Sequence, residues 1–239
     1  MKITSAVVTG AAGGIGKALA AQLRAAEAHV VLADTDVTAL GEVAADLGAA
    51  AVRTDVSDPA AMHELAAAAP DADLVCLNAG IVGADLGAPW EVGSADWDRV
   101  FAVNVGGVVN GLRAFVPRLL AAGRPAHILV TASLAGLATF PAGGAYAASK
   151  HAVVAVAEQT ALALADTPIG VTMICPALVR TGMSADGEDP ADVAAAALAA
   201  VEAEVFAVVP GEWRAEIQRR AQRLVIGAQP AMPMPDQSR

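Results

Sequence analysis

The stretch Thr9-Gly10-Ala11-Ala12-Gly13-Gly14-Ile15-Gly16 joins an apolar strand pattern, Ile3 to Thr9, to an apolar helix pattern, Ile15 to Ala26. Few folds can use so many glycines at such a junction. Glycines let backbone N–H groups come close to an anion, and the helix N-terminus adds partial positive charge. A strand before and a helix after are the context a pyrophosphate site requires. The spacing is T-G-x-x-x-G-x-G rather than G-x-G-x-x-G.

The rest of the chain repeats the strand–helix alternation. His29 to Ala33 is expected as a second strand, ending at Asp34, 24 residues after Gly10. An acid at that distance suits an adenosine ribose. The alternative is a loop Asp or a helix cap, since Asp36 can cap the helix expected over Val37 to Leu47, but the motif context favours the ribose. A third strand, Ala50 to Thr54, ends in Asp55-Val56. Asp58-Pro59 then opens a helix, with Pro in its first turn. Asp73 to Leu77 is a fourth strand, ending in Asn78-Ala79-Gly80. Ile81 to Gly93 reads as a loop and about Ser94 to Ala121 as one long helix, with Asn104 and Gly106-Gly107 inside it. Asn and Gly in a helix interior cost roughly 0.5–1 kcal/mol each relative to Ala. Close helix packing accounts for the glycines better than for the Asn.

Ala126 to Thr131 is a fifth strand leading to Ser133, and Tyr146 starts a helix that runs to about Asp166. Gly170 to Ile174 is the sixth strand. It is followed by Cys175-Pro176-Ala177-Leu178-Val179-Arg180-Thr181 and a polar loop, Gly182 to Asp189. A helix over Pro190 to Val201, a seventh strand over Glu204 to Val209 and a last helix over Gly211 to Leu224 complete the pattern. Arg214, Arg219, Arg220 and Arg223 read as the solvated face of that helix. The alternation predicts an α/β fold, a doubly wound, seven-stranded parallel sheet of Rossmann type with helices on both faces. Residues 1–227 form a single domain and 228–239 a loosely ordered tail. Ligands of such sheets sit outside the carboxyl ends of the strands, where Gly10, Asp34, Asp55, Asn78 and Ser133 fall.

Tyr146 is the only tyrosine, and Lys150 lies one helical turn beyond it on the same face. Free tyrosine, with a pKa of about 10, is a poor base at neutral pH. An ammonium about 4 Å away favours the phenolate by about 4 kcal/mol at an effective dielectric of about 20, or up to about three pKa units. Such a tyrosine could exchange protons near neutrality. The bland alternative is a surface Tyr and a solvated Lys.

The formal net charge of −10 speaks against nucleic acid and anionic membrane as partners. No uninterrupted apolar run reaches 18 residues, so no membrane span is expected, and no signal peptide precedes the first strand pattern. Cys76 and Cys175 each lie in an apolar run and are expected as buried free thiols of a reducing compartment. The four histidines show no ligand spacing, so no metal site is proposed.

With these residues assembled, the chain resembles the short-chain dehydrogenase/reductase family, in its compact, single-domain branch, over roughly Lys2 to Val209. The resemblance rests on Thr9-Gly10-x-x-x-Gly14-x-Gly16, Asp34, Asp55-Val56, Asn78-Ala79-Gly80, Asn104, Ser133, Tyr146/Lys150 and Pro176-x-x-Val179-x-Thr181. Leu77 stands where the family often has a second Asn, and Ala177 where it usually has Gly.

The resemblance implies an oxidoreductase that moves a hydride between NAD and a secondary alcohol or ketone. Tyr146 would be the general acid/base, and Ser133 would hydrogen-bond the substrate oxygen. Lys150 would bind the nicotinamide ribose and lower the Tyr146 pKa. Asn104 would hold a relay water through its backbone. Gly10, Gly13, Gly14, Ile15 and Gly16 would carry the pyrophosphate, and Asp34 the adenosine ribose. Asp55, Val56, Asn78, Ala79 and Gly80 would also bind the cofactor. Thr181 and the Val179 backbone would orient the carboxamide, with Pro176 also at the cofactor. Substrate-facing positions by analogy are Ala135, Leu137, Phe140, Leu178, Met183 and parts of Ile81 to Trp90. They are mostly apolar, which favours an uncharged substrate.

Cytoplasmic location and a homodimer or homotetramer, pairing through the helices that carry Asn104 and Tyr146, are expected on the same basis. An NAD(H)-binding sensor without turnover is the competing class. It would have no need of Ser133, Tyr146 and Lys150 together. An epimerase or dehydratase of the longer branch is disfavoured, because no substrate domain follows the sixth strand.

Overall fold

The computed structural model of the chain describes residues 2–182 and 184–236. Seven strands form one parallel sheet in the order β3-β2-β1-β4-β5-β6-β7. They are β1 (Ser5–Thr9), β2 (His29–Asp34), β3 (Ala50–Arg53), β4 (Leu74–Leu77), β5 (Ala126–Thr131), β6 (Ile169–Ile174) and β7 (Ala207–Val208). The central strands are mostly Val, Leu, Ile and Ala because both sheet faces are covered.

One face packs against α1 (Gly14–Ala25), α2 (Val37–Leu47) and α7 (Pro190–Glu202), with Leu19, Leu40 and Val193 in the core between them. The other carries α3 (Pro59–Ala68), α5 (Gly107–Ala122) and α6 (Gly144–Ala163), with Met62, Phe115 and Val153 buried below. The expected doubly wound sheet is therefore present.

The order in which successive strands are added reverses between β1 and β4, which run parallel with Val8 paired to Cys76. On the other side of β1, Thr9 pairs with Ala33. The carboxyl ends of β1, β2, β4, β5 and β6 all open on one edge, and the crevice at the reversal is where such sheets take ligands.

Helix starts follow their caps. Asp36 accepts from the Ala39 N–H, Asp58 from Ala60 and Asp189 from Ala191, the last two just ahead of a proline in the first turn.

The structure differs from expectation in three places. The long helix is broken into α4 (Ser94–Phe101) and α5 by a π-helical turn over Ala102–Gly106, which contains Asn104. The seventh strand shrinks to two residues because it is an edge, paired with β6 alone. The final helix opens as a 3-10 turn, Gly211–Trp213, before α8 (Arg214–Val225), and its arginines are not simply solvated. Arg219 and Arg223 both pair with the buried Glu216 carboxylate, and Arg220 reaches His151 on α6.

By length and composition the run from Ser94 to Ala122 could cross a membrane. Here it is a core element, with Val108, Phe115 and Leu119 packed under the sheet. Residues 228–236 form no helix or strand, but Asp236 donates its N–H back to the Glu212 carbonyl.

Candidate active site

A cavity of about 640 Å³ opens at the carboxyl edge of the sheet. At its floor the turn after β1 is shaped by two glycines. Gly10 has φ +67°, and a Cβ there would come within 2.9 Å of the Ala79 Cα. A Cβ on Gly16 would overlap the Gly10 carbonyl. The turn and the first coil of α1 are thus packed without side chains. Gly13, the residue before α1, has open space above it and makes no side-chain cap. No acidic residue occupies the first turn of α1. These first N–H groups are left for an anion, so the turn fits a dinucleotide pyrophosphate.

Thr9 and Asn78 bind the strand ends together. The Thr9 hydroxyl accepts from the Asn78 and Ala79 N–H groups and donates to Cys76 O. The Asn78 amide donates to Thr9 O at 3.0 Å, and its oxygen accepts from the Thr131 hydroxyl at 3.0 Å. At the end of β2, Asp34 is half-buried and faces the cavity. Its carboxylate accepts from the N–H groups of Ala12 (3.0 Å), Thr35 (2.7 Å) and Asp36 (3.1 Å), which fix its orientation. Asp36 itself caps α2, so the cap and the cavity-facing acid are different residues.

The catalytic candidates converge from two elements. Ser133 follows β5 and caps a 3-10 turn over Leu134–Gly136, accepting from the Ala135 N–H at 3.1 Å. Ser133 and Tyr146 both line the cavity. Lys150 is 4% exposed, and its Nζ donates to Thr131 O at 2.9 Å and stands 5.9 Å from the centre of the Tyr146 ring. Burial lowers the lysine to about 8. Burial also raises the Tyr146 phenol above its ordinary value, against the opposing pull of the Ser133 hydroxyl. The expectation that Lys150 lowers the Tyr146 pKa is not met in the chain by itself: the ammonium is committed to a carbonyl and the ring is desolvated.

Most of the expected site residues line the cavity. Gly10, Gly13, Gly14 and Ile15 lie at the turn, and Asn78, Ala79 and Gly80 at the end of β4. Pro176, Val179 and Thr181 stand after β6.

Four expected residues do not line it. Gly16 supports the Gly10 carbonyl from below. Asp55 is exposed and accepts from the Ser57 N–H and hydroxyl. Val56 is buried against Gly107, and its carbonyl accepts from the Asn110 amide. Asn104 lies behind the wall, 1% exposed, exchanging two hydrogen bonds with the Ile81 backbone and donating to the Ser149 hydroxyl.

Leu77, in place of a second Asn, fills the space against Gly111, and Ala177 lines the cavity. Of the expected substrate-side residues, Ala135, Phe140 and Leu178 line the cavity and Leu137 does not. Met183 lies outside the described residues. Thr9 was read only as the first residue of the glycine motif, and Thr131 only as the end of a strand, although both hold Asn78 at the cavity. Trp213 also lines the cavity, and nothing in the sequence pattern marked it. Among the described residues, no group of three or more His, Cys, Asp or Glu could hold a metal.

The chain matches the family described as short chain dehydrogenase over residues 4–192. It is 45% identical over 193 residues to the 1-deoxy-11-beta-hydroxypentalenate dehydrogenase of Streptomyces exfoliatus, covering 77% of this chain and 70% of that one. It is 35% identical over 200 residues to an uncharacterized NAD-dependent oxidoreductase of Mycobacterium tuberculosis, covering 74% and 72%. The crystal structure of a short-chain dehydrogenase/reductase from Burkholderia phymatum in complex with NAD is similar with a TM-score of 0.90 and 33% identity, over 97% of both chains. With the sheet, the glycine turn and the Ser133–Tyr146–Lys150 wall, these matches establish that the chain belongs to the short-chain dehydrogenase/reductase family and is an oxidoreductase acting on CH–OH donors.

Proposed function

We propose that the chain moves a hydride between NAD(H) and an uncharged, apolar secondary alcohol or its ketone. One observation carries the reading: Ser133, Tyr146 and the buried Lys150 come together in the lining of one cavity that is otherwise mostly apolar. The nicotinamide supplies the hydride chemistry. Tyr146 exchanges a proton with the substrate oxygen as general acid/base. Ser133 hydrogen-bonds that oxygen and stabilises the charge that develops there. Lys150 holds the nicotinamide ribose. Asn104 serves the proton relay through its backbone, in a π turn of the kind that recurs at functional sites. Val179 and Thr181 orient the carboxamide.

Asp34 selects NAD over NADP. Its carboxylate is held by three N–H groups and keeps capacity for a ribose hydroxyl. A 2′-phosphate about 4 Å away would be disfavoured by about 4 kcal/mol at a dielectric of about 20, about a thousandfold. Among the described residues lining the cavity, Lys150 is the only cation, and it stands at the catalytic wall. The NAD bound by the Burkholderia relative agrees with this preference. The Streptomyces relatives are named for a hydroxypentalenate, so an anionic analogue belongs in the test. The buried thiols of Cys76 and Cys175, both pushed up to about 12 by burial, support a cytoplasmic enzyme. Exposed Leu120 on α5 and Leu162 on α6 support pairing as a homodimer or homotetramer through those helices.

The test is a steady-state survey of secondary alcohols, each neutral compound paired with a carboxylate analogue, using NAD and NADP at equal concentration. Faster turnover of neutral apolar alcohols with NAD is expected, and Asp34→Ala should narrow the cofactor ratio. Comparable rates with both cofactors, or preference for the anionic partner of each pair, would overturn the corresponding half of the proposal.

A further inference from the structure

The catalytic side of the cavity is built by residues within the family match, which ends at residue 192. The wall contributed by Trp213 is not. It comes from the segment after β7, a 3-10 turn leading into α8. Trp213 is half-buried, and with Phe140, Leu86 and Leu178 it gives the cavity mouth an apolar rim. Leu86 and Leu178 are 58% and 64% exposed, so this rim presents apolar surface that the chain itself does not cover.

The turn bearing Trp213 is fixed from both ends. Its own N–H donates to the Pro210 carbonyl at 3.1 Å, just after β7. Two helical turns further on, Arg220 donates from Nη2 to His151 Nε2 at 3.1 Å. Residues 213, 216 and 220 recur at helical spacing and so share a face. That face carries the wall residue, buried Glu216 and the contact to α6. Arginine only donates, so His151 Nε2 must be the acceptor and Nδ1 carries the proton, which it gives to the Ala147 carbonyl at 2.9 Å. His151 is the residue next to Lys150. Arg220 therefore ties the Trp213-bearing helix to the catalytic helix one residue from the catalytic lysine.

We propose that Trp213 is a specificity-determining wall for bulky apolar substrates and that Arg220, through its hydrogen bond to His151, is the positioning residue that sets it. This rests on the reading of the cavity as an alcohol dehydrogenase site. A large ring-bearing alcohol reaches Tyr146 with its hydroxyl and buries its body against Trp213, Leu86 and Leu178. A small alcohol reaches Tyr146 without touching them.

The probes are 2-butanol and the bicyclic 2-decalol with NAD, for the parent, Trp213→Phe, Trp213→Ala, Arg220→Lys, Arg220→Ala and the double alanine variant. Loss of a large apolar contact corresponds to about tenfold to a hundredfold in affinity. Trp213→Ala should raise KM for 2-decalol by about that factor, while kcat, KM for 2-butanol and NADH affinity change less than about twofold. Trp213→Phe should retain most of the preference. Arg220→Ala should raise KM for 2-decalol by a smaller factor, Arg220→Lys should restore it, and the double variant should be no worse than Trp213→Ala alone.

A second readout needs no turnover. 2-Decalone added to the NAD-loaded protein, a pair with no hydride to exchange, should quench intrinsic fluorescence in the parent and lose that quench in Trp213→Phe, where Trp90 and Trp97 remain. An unchanged 2-decalol to 2-butanol ratio in Trp213→Ala, or a quench unaffected by Trp213→Phe, overturns the proposal for Trp213. Full additivity of the two alanine substitutions overturns the role of Arg220. A parent that oxidises neither alcohol but shows the Trp213-dependent quench would refute the dehydrogenase reading and leave the wall standing.

Discussion

At Lys150 a cation is buried with one carbonyl for company. Its Nζ donates to Thr131 O, and burial holds its pKa at about 8, against about 10.4 for a free lysine. A folded-state pKa below the unfolded value means the unfolded chain binds the extra proton between those two values. Stability from this group therefore rises with pH across about 8 to 10.4, and the full penalty applies below 8. Lys150→Met should stabilise the ligand-free protein by about 1–2 kcal/mol at pH 7, the relief of burial less the lost hydrogen bond. Urea unfolding at pH 7 and above pH 10.4 checks it: the gain should vanish at the higher pH, and a variant less stable than the parent at pH 7 would refute it. Tyr146→Phe should instead leave stability and NADH binding nearly unchanged and lower turnover by about 10²–10⁴-fold. Turnover above about a tenth of the parent's would remove Tyr146 from the acid/base role. Alcohol oxidation by the parent should accelerate with rising pH, because the phenolate is the base. The Tyr146–Lys150 pair was legible in the sequence because four residues make one helical turn. The direction of the Tyr146 shift was not, since a pairwise charge estimate contains neither the burial of the ring nor the Thr131 carbonyl that engages the lysine.

Between α4 and α5 the π turn converts a mid-helix asparagine into a brace. Asn104 accepts from the Ile81 N–H at 2.8 Å, donates to the Ile81 carbonyl at 2.9 Å and donates to the Ser149 hydroxyl at 2.9 Å. It thus joins the loop after β4 to α6, three residues past Tyr146. Asn104→Ala would leave both Ile81 backbone groups without that partner. The expected cost is about 1–3 kcal/mol, read as a lower urea midpoint, with loss of turnover at temperatures where the variant is still folded. An unchanged midpoint would mean the brace carries no load. The sequence offered the anomaly, an Asn and two glycines within an apolar helix pattern, but not its cause. Hydrophobic periodicity over a long run does not register one inserted residue. Periodicity likewise gave the seventh strand its place and overstated its length, since an edge strand needs only a short pairing. On α8 a run of arginines resembled a solvated face because the acid they serve, Glu216, is buried by tertiary packing.

Across the whole molecule the strand ends were legible because a parallel sheet gathers them on one edge. Gly10, Asp34, Asn78 and Ser133 needed only correct strand boundaries to fall together. Strand order, and the return of Trp213 to the same cavity, depend on contacts between distant segments that no local pattern encodes. His127 is another such case, a histidine in the middle of the sheet. It pairs in register with Leu74 on β4 and Gly170 on β6, and a Cβ on Gly170 would collide with its ring. The Thr172 hydroxyl donates to the Val205 carbonyl, so toward His127 it accepts, and Nε2 carries the ring proton at 2.8 Å. A second proton would have to enter at Nδ1, packed against Gly170. Burial lowers the His127 pKa to about 4, with Glu204 opposing, against about 6.5 in an unfolded chain. The unfolded state therefore binds the proton first as pH falls. This contribution is complete above about pH 6.5 and is lost progressively toward pH 4, by about 3–4 kcal/mol. His127→Gln keeps an N–H for Thr172 and has nothing to titrate. It should be less stable than the parent at pH 7, where its packing is imperfect, yet lose less stability on acidification. The difference between the two urea-midpoint curves should shrink from pH 6.5 to pH 4, with a slope approaching about 1.4 kcal/mol per pH unit. Parallel curves over that interval would show that His127 takes up its proton alike in the folded and unfolded chain, and that the sheet is not what makes this protein sensitive to acid.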